Sequence, residues 1–558
     1  MNWRIGTSVM NWRIGTSVVA MSFTTMASFA DLEFREIAEE AGAPFSHESG
    51  AIGKRWTLEI TGAGVGLLDY DADGRLDIWV IQGGPLKDRS GTLPSDRLFR
   101  NVSEDGQLRF EDATVAIGQV ATEYGMGIVT GDIDNDGDVD AVALNFGRNQ
   151  LFRNEGAKFQ WVEDSEVGKP TEWSLSGSMA DLNNDGWLDL YVANYMAFPP
   201  IRKYKVCRRM SMRVGYCAPS NFEPTADRLY LNDGNGSFID VSAEFGIQSE
   251  KERAMGVVID DLNADGRPDI YVANDMAMNF LWLNEASSTF KNDALFSGVA
   301  VNGHGMREAS MGVAVADWDR DFDPDLFLTH DVKESNTLYV YEHPGWFSDQ
   351  SVLTGLAAPS LSKTGFGTVF FDVENDGDLD LFVANGSVSM IDAQISRRVE
   401  PPLRQTNQLF VNNGDGKFNE IASTSLSQFE EVSRGAAMGD LDNDGDIDLL
   451  VSNNEGPLRI HVNDSRNANG QRNNWLGLRV LDGARDAIGA VVSLANQTGE
   501  RKVVRTDGSY LSASDPRLLF GLGVEEVPQR VYVRWSDGKN EEFSNLKVNQ
   551  YHTLQRSP

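Results

Sequence analysis

Seven short segments of this 558-residue chain place side-chain oxygens at one fixed spacing, D-x-[DNE]-x-D-[G]-x-x-D. They read DYDADGRLD from Asp69, DIDNDGDVD from Asp132, DLNNDGWLD from Asp181 and DLNADGRPD from Asp261. They continue as DWDRDFDPD from Asp317, DVENDGDLD from Asp372 and DLDNDGDID from Asp440. Alternate placement turns the oxygens of positions 1, 3 and 5 toward one point. Glycine at position 6 permits the reversal that returns position 9 to it, and position 7 offers a backbone carbonyl. An all-oxygen, anionic cage of this kind suits Ca²⁺. Mg²⁺ demands stricter geometry, and softer metals want His or Cys.

The candidate ligands for up to seven Ca²⁺ ions follow loop by loop. The first two sets are Asp69, Asp71, Asp73, Arg75 and Asp77, then Asp132, Asp134, Asp136, Asp138 and Asp140. The next two are Asp181, Asn183, Asp185, Trp187 and Asp189, then Asp261, Asn263, Asp265, Arg267 and Asp269. The fifth is Asp317, Asp319, Asp321, Asp323 and Asp325. The last two are Asp372, Glu374, Asp376, Asp378 and Asp380, then Asp440, Asp442, Asp444, Asp446 and Asp448. The fourth residue of each set acts through its carbonyl.

Asp, Asn and Gly also populate ordinary turns. Turn preference, however, demands no carboxylates at fixed places, and acids packed this closely repel one another without a cation. Asn183 and Asn263 keep an oxygen but lose a charge, so weaker affinity is expected there. Phe322 stands where glycine is expected in the Asp317 loop, and Pro324 stiffens it, which makes this the poorest site. The likeness to an EF-hand loop ends at position 6, because the next acid comes at position 9 and strand patterns flank the loop.

Such loops need a frame, and their flanks repeat too. Five residues before the first Asp lies Gly64, Gly127, Gly256, Gly312, Gly367 or Gly435, with Ser176 in the third copy. After each last Asp comes a β-branched or aromatic run, from DIWVIQ to DLLVSN, and a further strand pattern such as RLFRN at 97–101 or QLFVN at 408–412. A third element precedes each loop, for example EFREIAEEAG from Glu33 and SFIDVSAEFG from Ser237. Each unit is a small antiparallel sheet that cannot bury its faces alone. Radial stacking about an axis buries both, so the expected fold is all-β, a seven-bladed β-propeller over residues 31–463. A linear β-solenoid is the alternative.

The chain carries 49 basic and 83 acidic side chains, a formal net charge of −34. That disfavours nucleic acid and anionic membranes as partners. Apolar residues make up 41%, enough for a large core. Residues 1–9 recur unchanged at 10–18, and the apolar stretch 18–29 follows Arg4 and Arg13 and ends in small residues. Residues 1–30 are therefore expected to be an export signal, with a short buried strand as the alternative. No other stretch is long and apolar enough for a membrane span. Cys207 and Cys217 bracket CRRMSMRVGYC; they form one local disulfide in an exported chain, or stay free thiols in a cytosolic one. Residues 464–473 are polar and read as a linker. Beyond them, 474–558 alternates apolar runs (LGLRV, AVVSL, RKVVRT, VYVRW) with turns, the pattern of a small β-sandwich or barrel.

The loops with their flanking strands resemble the FG-GAP/VCBS repeats of integrin α-subunit propellers and of many secreted bacterial proteins. The tail resembles the ASPIC/UnbV domain through NWLGLRV from Asn474, DAIGAVVSL at 486–494, SYLSASD at 509–515, LLFGLG at 518–523 and VYVRWSDG at 531–538. Propeller plus this tail is the layout of the cartilage acidic protein family, and the Tyr216–Pro219 segment ahead of DRLYLND is similar to it as well. The resemblance implies an exported, Ca²⁺-loaded scaffold for a glycan, a matrix component or another protein. The long insertion 197–223 is either its recognition element or a cap over the propeller mouth. The competing expectation is a polysaccharide lyase or hydrolase that uses one cation as Lewis acid. His304, Arg307, Glu308 and His343 are its candidates, although no nucleophile elbow, H-E-x-x-H or phosphate loop accompanies them. A purely structural role in a cell-surface layer shares the Ca²⁺ expectation.

Overall fold

The computed structural model describes residues 32–558 apart from 86–94, 105, 199–206, 209–213, 286–288, 413, 423, 468, 496–499 and 528. The duplicated start and the expected export signal lie outside the described residues, as does most of the basic stretch between the cysteines.

Each repeat folds as a meander of four antiparallel strands, and the aspartate loop is the hairpin between its first two. Blade 1 consists of Val65–Leu68, Asp77–Val80, Arg97–Asn101 and Phe110–Asp112. Its register pairs Leu68 with Asp77, Ile78 with Phe99 and Asn101 with Phe110. Blades 2 to 6 begin at Tyr124, Glu172, Ala254, Val313 and Gly365. The sequence element that precedes each loop is thus the outermost strand of the blade before it. The first copy has no such blade. Phe34–Glu36 instead pairs with Arg459–Asn463 and completes blade 7, whose inner strands are Ser433–Gly439 and Asp448–Asn453. The two ends of the propeller sequence are thereby fastened in one sheet.

The innermost strands touch their neighbours all the way round, from blade 1 through blade 7 and back to blade 1. This closed ring of seven, not a linear stack, makes the fold a propeller. It also explains the recurrent glycine. A Cβ on Gly64, Gly127, Gly256, Gly312, Gly367 or Gly435 would stand within 2.0–3.0 Å of backbone oxygen in the next blade. The inner strands approach too closely there for any side chain. In blade 3 the same position is Ser176, whose hydroxyl accepts the Leu511 N–H at 3.1 Å.

A second repeated device stitches blades together. The asparagine ending the third strand donates its Nδ2 to the loop of the preceding blade: Asn101 to Leu441 O, Asn154 to Tyr70 O and Asn232 to Ile133 O. Asn284 reaches Leu182 O and Asn463 reaches Val373 O in the same way. Blade 5 has Tyr341 at this place.

The tail forms two four-stranded sheets, one of which includes the parallel pairing of Tyr551–Gln555 with Asn474–Asp482. It packs on the face that carries the aspartate loops and shares a continuous apolar core with blades 2 and 3. Its segment 505–515 enters the central channel and bonds to every blade. Ala513 exchanges hydrogen bonds with Val65 and Leu67, Leu511 O accepts from Ile128, and Ser509 pairs with Val313. Ser176, Ile259, Thr368 and Met438 complete the set. Innermost strands are sheet edges whose inward N–H and C=O groups need partners, and this plug supplies them. Cys207 and Cys217 form a disulfide within the insertion 197–223, at the channel end away from the loops.

Candidate metal centres

The seven loops share one backbone design. Position 4 is left-handed in all of them, with φ of 54–64° at Ala72, Asn135, Asn184, Ala264, Arg320, Asn375 and Asn443. Position 6 is left-handed as well, with φ of 82–97° at the six glycines. Phe322 adopts the same conformation at φ 77°, so the fifth loop keeps the geometry at a conformational cost.

Backbone amides hold the acids in place. In the first loop Asp69 accepts from the N–H of Asp73 and of Gly74, each at 3.0 Å. The same pair recurs at Asp181, Asp261, Asp317, Asp372 and Asp440. The position-5 carboxylate accepts from the amide of position 7, as from Arg75 and Trp187. At position 9 one oxygen accepts from the position-2 amide at 2.9–3.4 Å and the other from the third-strand residue at 2.7–2.9 Å.

This scaffold gathers carboxylates. Asp69, Asp71 and Asp77 bring ligand atoms within 4.8 Å of one another, as do Asp317, Asp319 and Asp325; Asp372, Glu374 and Asp380; and Asp440, Asp442 and Asp448. In the second loop the gathered set is Asp132, Asp134 and Asp136. In the two asparagine-bearing loops, Asn183 and Asn263 donate to Asp185 and Asp265 instead. Buried oxygens of Asp71, Asp132, Asp134, Asp323 and Glu374 have no hydrogen-bond donor. Arginines pair with one oxygen of some of these acids and leave the other without a donor, as Arg100 does with Asp71 Oδ2 at 2.6 Å and Arg153 with Asp134 Oδ2 at 3.2 Å.

Position 9 is buried in every loop. Burial, reinforced by the neighbouring acids, pushes the carboxyls of Asp77, Asp140 and Asp269 up to about 8 and that of Asp189 to about 7. Burial drives Asp325, Asp380 and Asp448 well above the ordinary range. Orphaned hard oxygens, buried side by side and straining to hold protons, fit an oxygen-seeking divalent cation such as Ca²⁺.

The tail touches several of these loops. Tyr551 Oη donates to Asp440 at 2.9 Å, the Arg501 amide donates to Asp317 at 3.0 Å, and the Gly523 amide donates to Asn375 O at 2.8 Å. His304, Arg307 and His343 are exposed, and His343 stacks on Trp346. Glu308 turns inward, accepting from Asn302 at 2.8 Å and Thr337 at 3.2 Å. The stitching asparagines were visible as the last letter of RLFRN, QLFRN, RLYLN and FLWLN, but nothing in those strings assigned them a partner.

Comparison with known proteins agrees with this organisation. The FG-GAP-like repeat model matches residues 69–143, 132–192, 216–272, 261–328, 317–383 and 401–451, and the ASPIC and UnbV model matches 481–558. Cartilage acidic protein 1 of Mus musculus is 25% identical over 499 residues, covering 85% of this chain and 70% of that protein. The Homo sapiens protein of the same name is 25% identical over 508 residues, covering 85% and 69%. Among solved structures, the BP39L lectin from Burkholderia pseudomallei covers 73% of this chain and 99% of its own at 9% identity, with a TM-score of 0.43, too distant to inform function. With FG-GAP-like repeats matched over more than half of its length, the chain belongs to the FG-GAP-like repeat family, joined here to an ASPIC and UnbV domain.

Proposed function

We propose that the chain is an exported Ca²⁺-binding propeller that serves as a binding scaffold for a glycan or protein ligand. The carrying observation is the set of buried, donorless carboxylate oxygens gathered in loops of one backbone design. Positions 1, 3, 5 and 9 would hold each ion with the position-7 carbonyl, and the ion supplies the positive charge that lets the acids stay ionised side by side. The chain's own amides do the positioning. Because the tail covers the loop face and fills the channel, the opposite face, which carries the disulfide-linked insertion, is the surface left for a partner. The disulfide supports export, since such bonds persist in oxidising compartments.

Chelation tests this reading. Ions that bind only the folded state stabilise it by about 2.7 kcal/mol per site when present at 100-fold their Kd. Melting in EGTA should therefore fall sharply and recover with added Ca²⁺. An unchanged melting temperature, with no metal found by elemental analysis, would make the loops plain turns. A glycan panel scored for retention and for new reducing ends separates a binder from an enzyme.

A further inference from the structure

The channel end away from the aspartate loops opens into a cavity of about 550 Å³. Its wall includes three carboxylates, Asp275, Asp331 and Glu334, contributed by blades 4 and 5. Asp275 is only 6% exposed. Its Oδ2 accepts from Tyr195 Oη at 2.5 Å, and its Oδ1 has no donor among the described residues. Asp331 Oδ1 accepts from Thr364 Oγ1 at 2.8 Å, and Glu334 Oε2 accepts from the Ala309 amide at 2.8 Å. The second oxygen of each has no donor among the described residues. Burial pushes Asp275 up to about 7 despite the Tyr195 hydrogen bond, and the charges of Asp331 and Glu334 add to the rise.

No lysine or arginine among the described residues pairs with these acids. Arg253, the nearby cation on blade 4, donates to the carbonyls of Pro219 and Phe222. Arg434 stacks on Phe366 at 3.9 Å and donates to the carbonyls of Ile60 and Gly386. The wall also carries polarizable apolar groups, Tyr216, Met255, Met311 and Phe366, among polar ones such as Thr61 and Asn221. One buried and two half-buried carboxylates without an ion-pair partner among the described residues, set beside thioethers and aromatic rings, complement a hydrogen-bonding cation on an apolar stem.

We propose that this cavity binds an aliphatic amine, its ammonium held by Asp275 and Glu334 and its stem lying along Met255, Met311 and the rings of Tyr216 and Phe366. Two sources share that chemistry, a free alkylamine and a lysine side chain of a partner protein. The inference gives the scaffold's exposed face a ligand class and rests on the preceding reading only for the intact, Ca²⁺-loaded fold.

Titration calorimetry on the full, Ca²⁺-loaded chain tests it. The probes are n-butylamine, putrescine, Nα-acetyl-lysine methylamide, 1-butanol and methyl glucoside. The amines should bind saturably at one per chain, weaken as NaCl is raised, and leave 1-butanol and methyl glucoside silent. Asp275→Asn and Glu334→Gln should each weaken the amines at least about tenfold, with an unchanged EGTA-sensitive melt showing that the fold is intact. Tighter binding of the lysine derivative than of n-butylamine identifies a partner's side chain, and the reverse identifies a free amine. Amines that bind no better than 1-butanol, or folded variants of both acids that bind like the parent, overturn the proposal. An intact EGTA shift alongside silent amines would sink the cavity alone, and a lost EGTA shift would sink the Ca²⁺ reading alone.

Discussion

Asp227 shows how a single buried acid sets a pH dependence. Its Oδ1 accepts the Asn194 amide at 2.7 Å and its Oδ2 accepts Tyr191 Oη at 2.8 Å. Blade 4 does the same capping with a neutral group, since Asn279 Oδ1 accepts the Asn274 amide at 2.9 Å beneath Tyr271. Burial raises the Asp227 carboxyl to about 7. An unfolded aspartate releases its proton near pH 3.9, so between about pH 4 and 7 the folded state binds the extra proton. Stability from this group is therefore complete at acid pH and falls by up to about 1.4 kcal/mol per pH unit as pH rises through that window. Asp227→Asn removes the slope: at constant Ca²⁺ the variant should melt like the parent near pH 4 and progressively above it as pH rises to 7. A difference in melting temperature that ignores pH would refute the assignment. The asparagines at equivalent places in blades 2, 4, 5 and 6 (Asn149, Asn279, Asn336 and Asn407) show that the fold accepts the neutral cap.

Hairpins and strands were the most legible level, because the residues that shape them are local. The spacing of Asp and Gly is written by each loop's own dihedrals, so seven hairpins could be read directly from DYDADGRLD and its relatives. The unit boundary was less legible. Which strand the segment EFREIAEEAG pairs with depends on a residue near position 460, more than 400 places away in the chain. Blade 5 marks the limit of the pattern, since Phe322, Pro324 and Tyr341 all depart from it, yet the backbone path is retained. Phe322→Gly should therefore stabilise the protein by about 1 kcal/mol, the cost of holding a side chain in the left-handed region, and raise the melting temperature. Gly312→Ala is the opposite case. Its Cβ would stand 2.0 Å from Phe366 O in the neighbouring blade, which forces two inner strands apart. That change should cost about 3 kcal/mol or abolish soluble protein, as overpacking between backbones leaves nothing flexible to yield. Equal melting of Gly312→Ala and parent would show that the ring is looser than its geometry indicates.

At the scale of the molecule the sequence was silent about how propeller and tail join. Apart from Tyr510 and Leu511, which are fully buried in an apolar cluster, the segment SYLSASD is small and polar like a surface loop, and most of its hydrogen-bond partners in the channel are backbone groups that leave no side-chain signature. The consequence is a coupling between metal and docking. The tail rests on the loops at Asp317, Asp372 and Asp440 and lies 3.8 Å from Asp261 through Arg534, while Asn473 donates to Glu374 O at 2.8 Å. Without cations those loops are clusters of like charge that gain by spreading, and spreading breaks the tail's footing. Chelation should thus loosen the tail before the blades unfold. Arg466 and Arg472 in the segment 464–473 provide the readout, because trypsin cuts there only when the segment lifts from its partners at Asp444 and Asp446. In EGTA the cleavage rate should rise about tenfold, which corresponds to about 1.4 kcal/mol on the opening equilibrium, and restored Ca²⁺ should suppress it. Cleavage at the same rate with and without Ca²⁺ would mean that the channel plug and the shared apolar core hold the tail unaided, and that the loops serve only the blades in which they lie.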